Sequence, residues 1–416
     1  MRRTLPSLIA VFAMIALVAA VNVAGAAAGE SCRDLRSRLV RGGGSSSGLL
    51  VVDSESGQVL CKRAAQTQRP LASNMKMFTT ATALGRFGPD TRIPTRVLAS
   101  GTLDSRGVLH GDLYLEGGGD PALGTPAFYG RFLGGFGTNL FALKAQLRAA
   151  GLTAVTGRLY ADDTIFDRRR GVADSGYATS PYIGPISGLA FNSGYSSSSG
   201  SSFSADPAKG AASKLVRSLR GAGISISSQV ALGAAPESSE VLAIVRSPTV
   251  AELADATNVP SNNFYAETLI KLIGAEFGSG GSTRAGAAVV EEFARGHDSA
   301  VHAVDGSGLT RSNHASPAQV VRFLQSVRAD AIGEDFIQSL ALTGREGTVA
   351  TRMDGTAAEA RCRTKTGTLT GVSNLSGYCF NRNGRILTFS ILMGSVGSLS
   401  LAHYEQDRIA AAIAGY

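Results

Sequence analysis

What most constrains the fold of this chain is a change of character along its length. Residues 92–243 break into short apolar stretches separated by glycine-rich turns, among them Leu113-Tyr114-Leu115 ahead of Gly117-Gly118-Gly119-Asp120-Pro121. On both sides of that region helical and strand patterns alternate. Residues 32–40 carry the spacing of an amphipathic helix, and 42–48 read as a flexible Gly/Ser link. Residues 49–53 and 58–62 read as strands joined by Ser54-Glu55-Ser56-Gly57, a turn with glycine available for positive φ. Helices are expected at about 73–87, 249–257, 264–277, 317–329 and 402–414, the fourth with Ser316 as N-cap and Pro317 in its first position. Residues 361–369 and 373–380 make one hairpin, and the near-continuous apolar run 386–393 suits a strand covered on both faces. The middle therefore reads as an inserted, β-rich region in an α/β chain.

Composition bounds the setting. With 416 residues, 44% of them hydrophobic and 17% charged, the chain supports one large domain or two to three ordinary ones, and excludes collagen, coiled coil and wholesale disorder. Forty Lys and Arg against 32 Asp and Glu give +8, a mild excess that selects no anionic partner by itself. Residues 1–28 have the layout of a secretory signal: a basic Met1-Arg2-Arg3, an apolar stretch, then small residues ending in Ala26-x-Ala28. The apolar stretch also meets the length of a membrane anchor, so cleavage and retention both stay open. Either way the chain is exported, to a periplasm, a cell wall or the medium. An even number of cysteines in such a chain reads as disulfides, and sequence order pairs Cys32 with Cys61 and Cys362 with Cys379. The midpoint of the second pair falls between Thr370 and Gly371. A tight turn there sets those two cysteines opposite each other across the hairpin.

Three short patterns carry chemistry. Ser73 and Lys76, three apart at the start of a helix, share one face, so the amine reaches the hydroxyl and can activate it without histidine. Ser261-Asn262-Asn263 follows Pro260 just before a helix and can present a hydroxyl and an amide from a loop, although an N-cap is the plainer reading. Lys365-Thr366-Gly367-Thr368 lies within an expected strand, where glycine is a poor strand former unless something approaches the backbone closely. An extended substrate along that strand would account for it. The N–H groups of Thr368 and Ser73 would then form an oxyanion hole.

In this order and local setting, Ser73-x-x-Lys76, Ser261-x-Asn263 and Lys365-Thr366-Gly367 resemble the three motifs of penicillin-binding proteins and serine β-lactamases. The stretches Leu115 to Leu123, Asp305-Gly306-Ser307-Gly308-Leu309-Thr310-Arg311 and Thr366 to Tyr378 narrow the resemblance to the low-molecular-mass class C penicillin-binding proteins, the D-alanyl-D-alanine carboxypeptidase/endopeptidase family. Ser73 and Ser261 lie 188 positions apart, a spacing that fits that family, which carries extra domains there. The resemblance implies a transpeptidase-like domain built from 29–91 and 244–416, an antiparallel sheet flanked by helices, with 92–243 folded beside it. The gap is short for the full insertion, and the Ser-rich 194–202 stands where relatives carry more structure.

The implied reaction is acyl transfer on D-Ala-D-Ala stem peptides or cross-links of peptidoglycan. Lys76 would take the proton of Ser73, Ser261 and Lys365 would relay it to the leaving amine, Asn263 would hold the peptide amide, and Lys365 with Thr366 the terminal carboxylate. Penicillins would acylate Ser73, and Glu267 is not assumed to stand where a deacylating glutamate does. No cofactor, metal or nucleic acid is implied, and peripheral membrane or wall association stays open. Competing readings are a non-catalytic wall scaffold and a β-lactamase. The five histidines sit in no triad or metal motif, Asp162, Asp163 and Asp167 read as a turn cluster, and Arg168–Arg170 as a solvated charge run.

Overall fold

The computed structural model describes residues 30–416, so the expected leader lies outside the described residues. Its first sheet has six strands in the order Ala341–Leu342, Cys362–Leu369, Val372–Phe380, Ile386–Gly394, Gly48–Asp53 and Val59–Arg63, antiparallel throughout. Both ends of the chain meet in this sheet, where Gly48 pairs with Leu392 and Asp53 with Leu387. Alternate residues face opposite ways along a strand. Leu49, Val51, Phe389 and Ile391 pack with helices Cys32–Gly43 and Leu399–Ala414, while Tyr378 and Leu392 join Phe78 and Phe323 on the other side. Gly48–Asp53 is buried at every position, as a strand covered on both faces must be.

Cys32 is bonded to Cys61, and Cys362 to Cys379 across the hairpin Cys362–Leu369/Val372–Phe380. That hairpin turns at Thr370-Gly371, with Gly371 at φ +73°.

The first helix extends further than its sequence spacing suggests. Gly42 and Gly43 belong to helix Cys32–Gly43 and are buried. A Cβ on Gly43 would lie 2.4 Å from Ser47 Oγ and 2.6 Å from Met393 Cβ, so these glycines let the helix press onto the sheet; they are not a flexible link. Helix Thr283–Gly296 has no counterpart among the sequence expectations. Its buried face is mostly alanine and glycine, which weakens the apolar signal, yet it packs closely on helix Asn263–Phe277: a Cβ on Gly286 would lie 1.8 Å from the Ile270 carbonyl oxygen.

Between the two parts of the first sheet, in sequence, stands a second six-stranded one, ordered Val230–Leu232, Leu159–Asp162, Val108–Gly117, Arg92–Leu103, Glu240–Thr249, with Ala154–Val155 also pairing with Val108–Gly117. Helices Ala142–Ala149 and Pro207–Gly221 cover it. Leu113, Leu115, Leu143, Leu147, Leu159, Leu215 and Leu219 form a core drawn only from this region. The Ser-rich stretch is closed by a Tyr195–Phe203 ring stack and by the Ser196 N–H donating to the Ser202 carbonyl. A further cluster fastens the region to helix Asn263–Phe277, with Phe166, Ile183 and Ile186 against Phe264, Leu269 and Leu272. Among the groups expected in turns and in a solvated run, Asp167 and the Arg169 carbonyl join this fastening through Lys271, and Asp163 and Arg170 pair within the region. Asp162 stays in its turn by accepting from Thr164 N, and the Arg168 and Arg169 side chains are exposed. Asp163 pairs with Arg170 at 2.8 Å, and Asp167 with the fully buried Lys271.

Candidate active site

Ser73 sits on a 3-10 turn, Ala72–Asn74, that runs directly into helix Met75–Phe87. The turn is forced into place from three directions. Asn374 donates its amide to the carbonyls of Pro70 and Leu71, and Asn74 donates to the Lys365 carbonyl while accepting from Ser376. From the third side, Gly308 leaves no room for a side chain: a Cβ there would lie 1.8 Å from the Ala72 carbonyl oxygen. Ala72 itself holds φ +45° and Ser261 φ +61°, conformations that cost about 1–3 kcal/mol each and persist only where surrounding contacts fix them.

The turn carries helical rise from Ser73 to Lys76. Lys76 Nζ lies 2.9 Å from Ser73 Oγ, 2.7 Å from Asn263 Oδ1 and 2.7 Å from the Ser307 carbonyl oxygen. The side chain is fully buried, and burial pulls its pKa down to about 7 against the opposing attraction of Asp305 and Glu267. An amine near neutrality, touching a serine hydroxyl, is equipped to accept that hydroxyl's proton.

Two acidic residues surround the amine. Glu267, on helix Asn263–Phe277, accepts the N–H groups of Gly306 (3.0 Å) and Ser307 (2.7 Å) through Oε1, while its buried Oε2 has no partner among the described residues. Asp305 accepts from Gly308 N, Thr310 N and Asn313 Nδ2. Together they shape the loop whose Ser307 carbonyl receives Lys76. Burial first, and Asp305 second, push Glu267 up to about 8; burial raises Asp305 as well. Sequence reasoning set Glu267 aside. The available signal was a carboxylate inside a helix that is buried on every side from Phe264 to Gly274.

Asn262 is the N-cap of that helix, accepting from Tyr265 N, so the plainer reading of the motif holds for this residue. Asn263 splits its amide: Oδ1 meets Lys76, and Nδ2 donates to the Tyr182 carbonyl at 2.9 Å. Ser261 is half-buried beside them. Its hydroxyl makes no hydrogen bond to Ser73, Lys76 or Lys365 among the described residues.

Lys365 is fully buried in strand Cys362–Leu369 and donates to the Thr366 carbonyl at 3.0 Å. Burial, then the charge of Lys76, drives its pKa well below the ordinary lysine value. Thr366 shares a 2.8 Å hydroxyl contact with Thr348, whose N–H donates to the Val259 carbonyl just ahead of Ser261. Gly367 answers to a different neighbour from the one expected. A Cβ there would meet the Leu71 carbonyl at 2.9 Å and Asn74 N at 3.2 Å, so the backbone that approaches it is the serine turn itself. Strand Ala341–Leu342 pairs only with Arg363 and Thr364, which leaves the outer edge from Lys365 to Thr368 without a strand among the described residues. The Thr368 side chain is exposed at the end of that edge.

The chain matches the D-Ala-D-Ala carboxypeptidase 3 (S13) family over residues 34–203 and 199–414, two segments that meet in the Ser-rich stretch. It is 32% identical over 457 aligned residues to the D-alanyl-D-alanine carboxypeptidase of an Actinomadura species, covering 90% of this chain and 82% of that one. A carboxypeptidase of Mycobacterium tuberculosis is 28% identical over 364 residues, covering 83% and 76%. In fold the chain is similar to penicillin-binding protein 4 of Haemophilus influenzae, with a TM-score of 0.77 at 18% identity over 93% of this chain and 100% of that one. Family match and close relative agree over most of the length: the chain belongs to the D-Ala-D-Ala carboxypeptidase 3 (S13) family of serine peptidases.

Proposed function

We propose that Ser73 is the nucleophile of a D,D-carboxypeptidase/endopeptidase that cleaves D-Ala-D-Ala stem peptides or D-alanyl cross-links of peptidoglycan through an acyl-serine. One observation carries the assignment of roles: the partner set of Lys76. A neutral amine has two N–H donors and one lone pair. The two 2.7 Å acceptors, Asn263 Oδ1 and the Ser307 carbonyl, use the donors, and the lone pair is left for the Ser73 hydroxyl at 2.9 Å.

Lys76 takes the proton as Ser73 Oγ attacks the carbonyl of the penultimate D-alanine. The resulting oxyanion is held by the N–H groups of Ser73 and Thr368. As the C–N bond breaks, the proton passes through the Ser261 hydroxyl to the departing amine, and water then hydrolyses the ester with Lys76 again as base. The free edge at Lys365 to Thr368 accepts the substrate as an added strand, a mode in which backbone hydrogen bonds supply affinity. Lys365 and Thr366 receive the terminal carboxylate, whose negative charge favours the ammonium form, so the buried Lys365 takes up a proton from solvent as substrate binds. Asn263 holds the substrate amide once that amide replaces the Tyr182 carbonyl on Nδ2. We take 92–243 as the inserted region that forms this wall of the cleft. β-Lactams enter the same site and acylate Ser73.

Release of D-alanine from a stem-peptide analogue ending in D-Ala-D-Ala tests the reading. Wild type should release it and Ser73→Ala should not. Equal release by both, or none by wild type, would contradict it.

A further inference from the structure

On the face formed by helix Cys32–Gly43 and strand Val59–Arg63 lies an open groove of about 1140 Å³. Arg33, Arg36, Arg41, Lys62 and Arg63 line it, and no carboxylate does. Arg41 is neutralised by Glu405. The others are not. Arg36 donates from Nε to the Lys62 carbonyl at 2.9 Å, and Arg63 donates to the Ser45 carbonyl at 3.2 Å. Bonding to a carbonyl fixes a guanidinium while leaving its charge uncompensated. Arg33 and Lys62 are exposed, and neither enters an ion pair among the described residues. The nearby Asp34 is engaged elsewhere, accepting the Ser31 N–H at 3.0 Å as part of the helix cap.

The groove is rigid as well as basic. The Cys32–Cys61 bond ties its helix to its strand, and the Arg36–Lys62 hydrogen bond repeats that tie. Val59–Arg63 is an open edge of the first sheet, and cations there protect against edge-to-edge pairing. Edge protection accounts for Lys62 and Arg63. It does not account for Arg33 and Arg36, which stand one turn apart on the facing helix.

We propose that this groove is a docking surface for the anionic headgroups of a phospholipid membrane. Position favours a membrane over other polyanions. Arg33 follows the apolar leader by five residues, so even a fully extended link keeps it within roughly 18 Å of the leader's end. Four uncompensated cations near such a surface attract phosphate headgroups within a Debye length of about 8–10 Å. The placement rests on the leader being kept as a membrane anchor. The affinity of the groove does not.

The test is co-sedimentation of residues 30–416, which contain every core described above, with vesicles of phosphatidylcholine alone or mixed with phosphatidylglycerol. Binding is expected only to the mixed vesicles and should be lost at high salt. R33E/K62E changes two residues that hold no structural bond and should weaken binding by about fivefold for each cation removed, or more because the charges are reversed. R33K/K62R should bind as wild type. Acylation of Ser73 by benzylpenicillin should be unchanged in both variants, which reports an intact fold and separates this proposal from the catalytic one. Equal binding to both vesicle types, no binding by wild type, or an R33E/K62E variant that binds normally would overturn it. So would binding to soluble polyphosphate without binding to vesicles, which would give the groove to a wall polymer.

Discussion

Gly308 and Ala72 stand so close that a β-carbon on the glycine would lie 1.8 Å from the alanine's carbonyl oxygen. Both residues hold positive φ, +82° and +45°. The loop that receives Lys76 and the turn that carries Ser73 therefore seat each other. Gly308→Ala must move one of them or relax the left-handed backbone, and overlap with backbone cannot be relieved by a rotamer. We expect a loss of about 3 kcal/mol or more, read as a drop in Tm, together with slower acylation by benzylpenicillin. A fully active variant with wild-type Tm would show that the two segments are not mutually constrained.

The acid limb of the pH profile should report Lys76. Its pKa lies near 7 because burial disfavours the ammonium. Only the neutral amine accepts the Ser73 proton, so the acylation rate should rise with pH through an apparent pKa near 7 and level off above it. Lys76→Arg keeps the charge at every accessible pH and should lower the rate by about 10²–10⁴-fold with no acid limb near 7.

Glu267→Gln separates shape from charge. The glutamine oxygen can still accept from Gly306 and Ser307, and glutamine mimics the protonated carboxyl, the form favoured where Lys76 titrates because burial raises Glu267 to about 8. The acid limb should therefore stay near 7 in this variant. Glu267→Ala also strands two buried N–H groups, each worth about 1–3 kcal/mol, and should lower Tm where the glutamine variant does not. An acid limb that moves to lower pH in Glu267→Gln would show instead that the carboxylate is ionised there and favours the Lys76 ammonium.

Much of this site is legible in the sequence because its parts are local. Ser73 and Lys76 need only one turn of helix between them, and the cysteines flanking Thr370-Gly371 need only a hairpin. Glu267 was only half legible: a carboxylate among the apolar residues of its helix signals burial, but its partners, Gly306 and Ser307, come from a loop almost forty residues later. The reason for Gly367 is likewise tertiary: the serine turn comes from the other end of the chain. Gly42, Gly43 and Gly286 mislead in the same way, since close packing of helices uses the residue that otherwise signals a link or a break. Pro207–Gly221 was missed for a different reason. Its apolar positions Ala208, Ala211, Ala212, Leu215, Val216 and Leu219 do recur at helical spacing, but alanine dilutes the signal among serines and glycines.

The Cys362–Cys379 bond closes the hairpin that carries Lys365 to Thr368. Both sulfurs belong to fully buried residues, so replacement by alanine is a cleaner probe than reduction. A bridge over a loop of this length contributes about 3 kcal/mol in the chain-entropy account. The double alanine variant should melt earlier and acylate more slowly, the second effect arising from a looser substrate edge. Unchanged acylation with lowered Tm would confine the bond to stability.

The central claim is that Ser73, activated by Lys76, forms the acyl-enzyme. Intact-mass spectrometry after incubation with benzylpenicillin measures it directly. Wild type should gain the mass of one opened penicillin, while Ser73→Ala should gain nothing. A lasting adduct on Ser73→Ala, or none on wild type, would contradict the account.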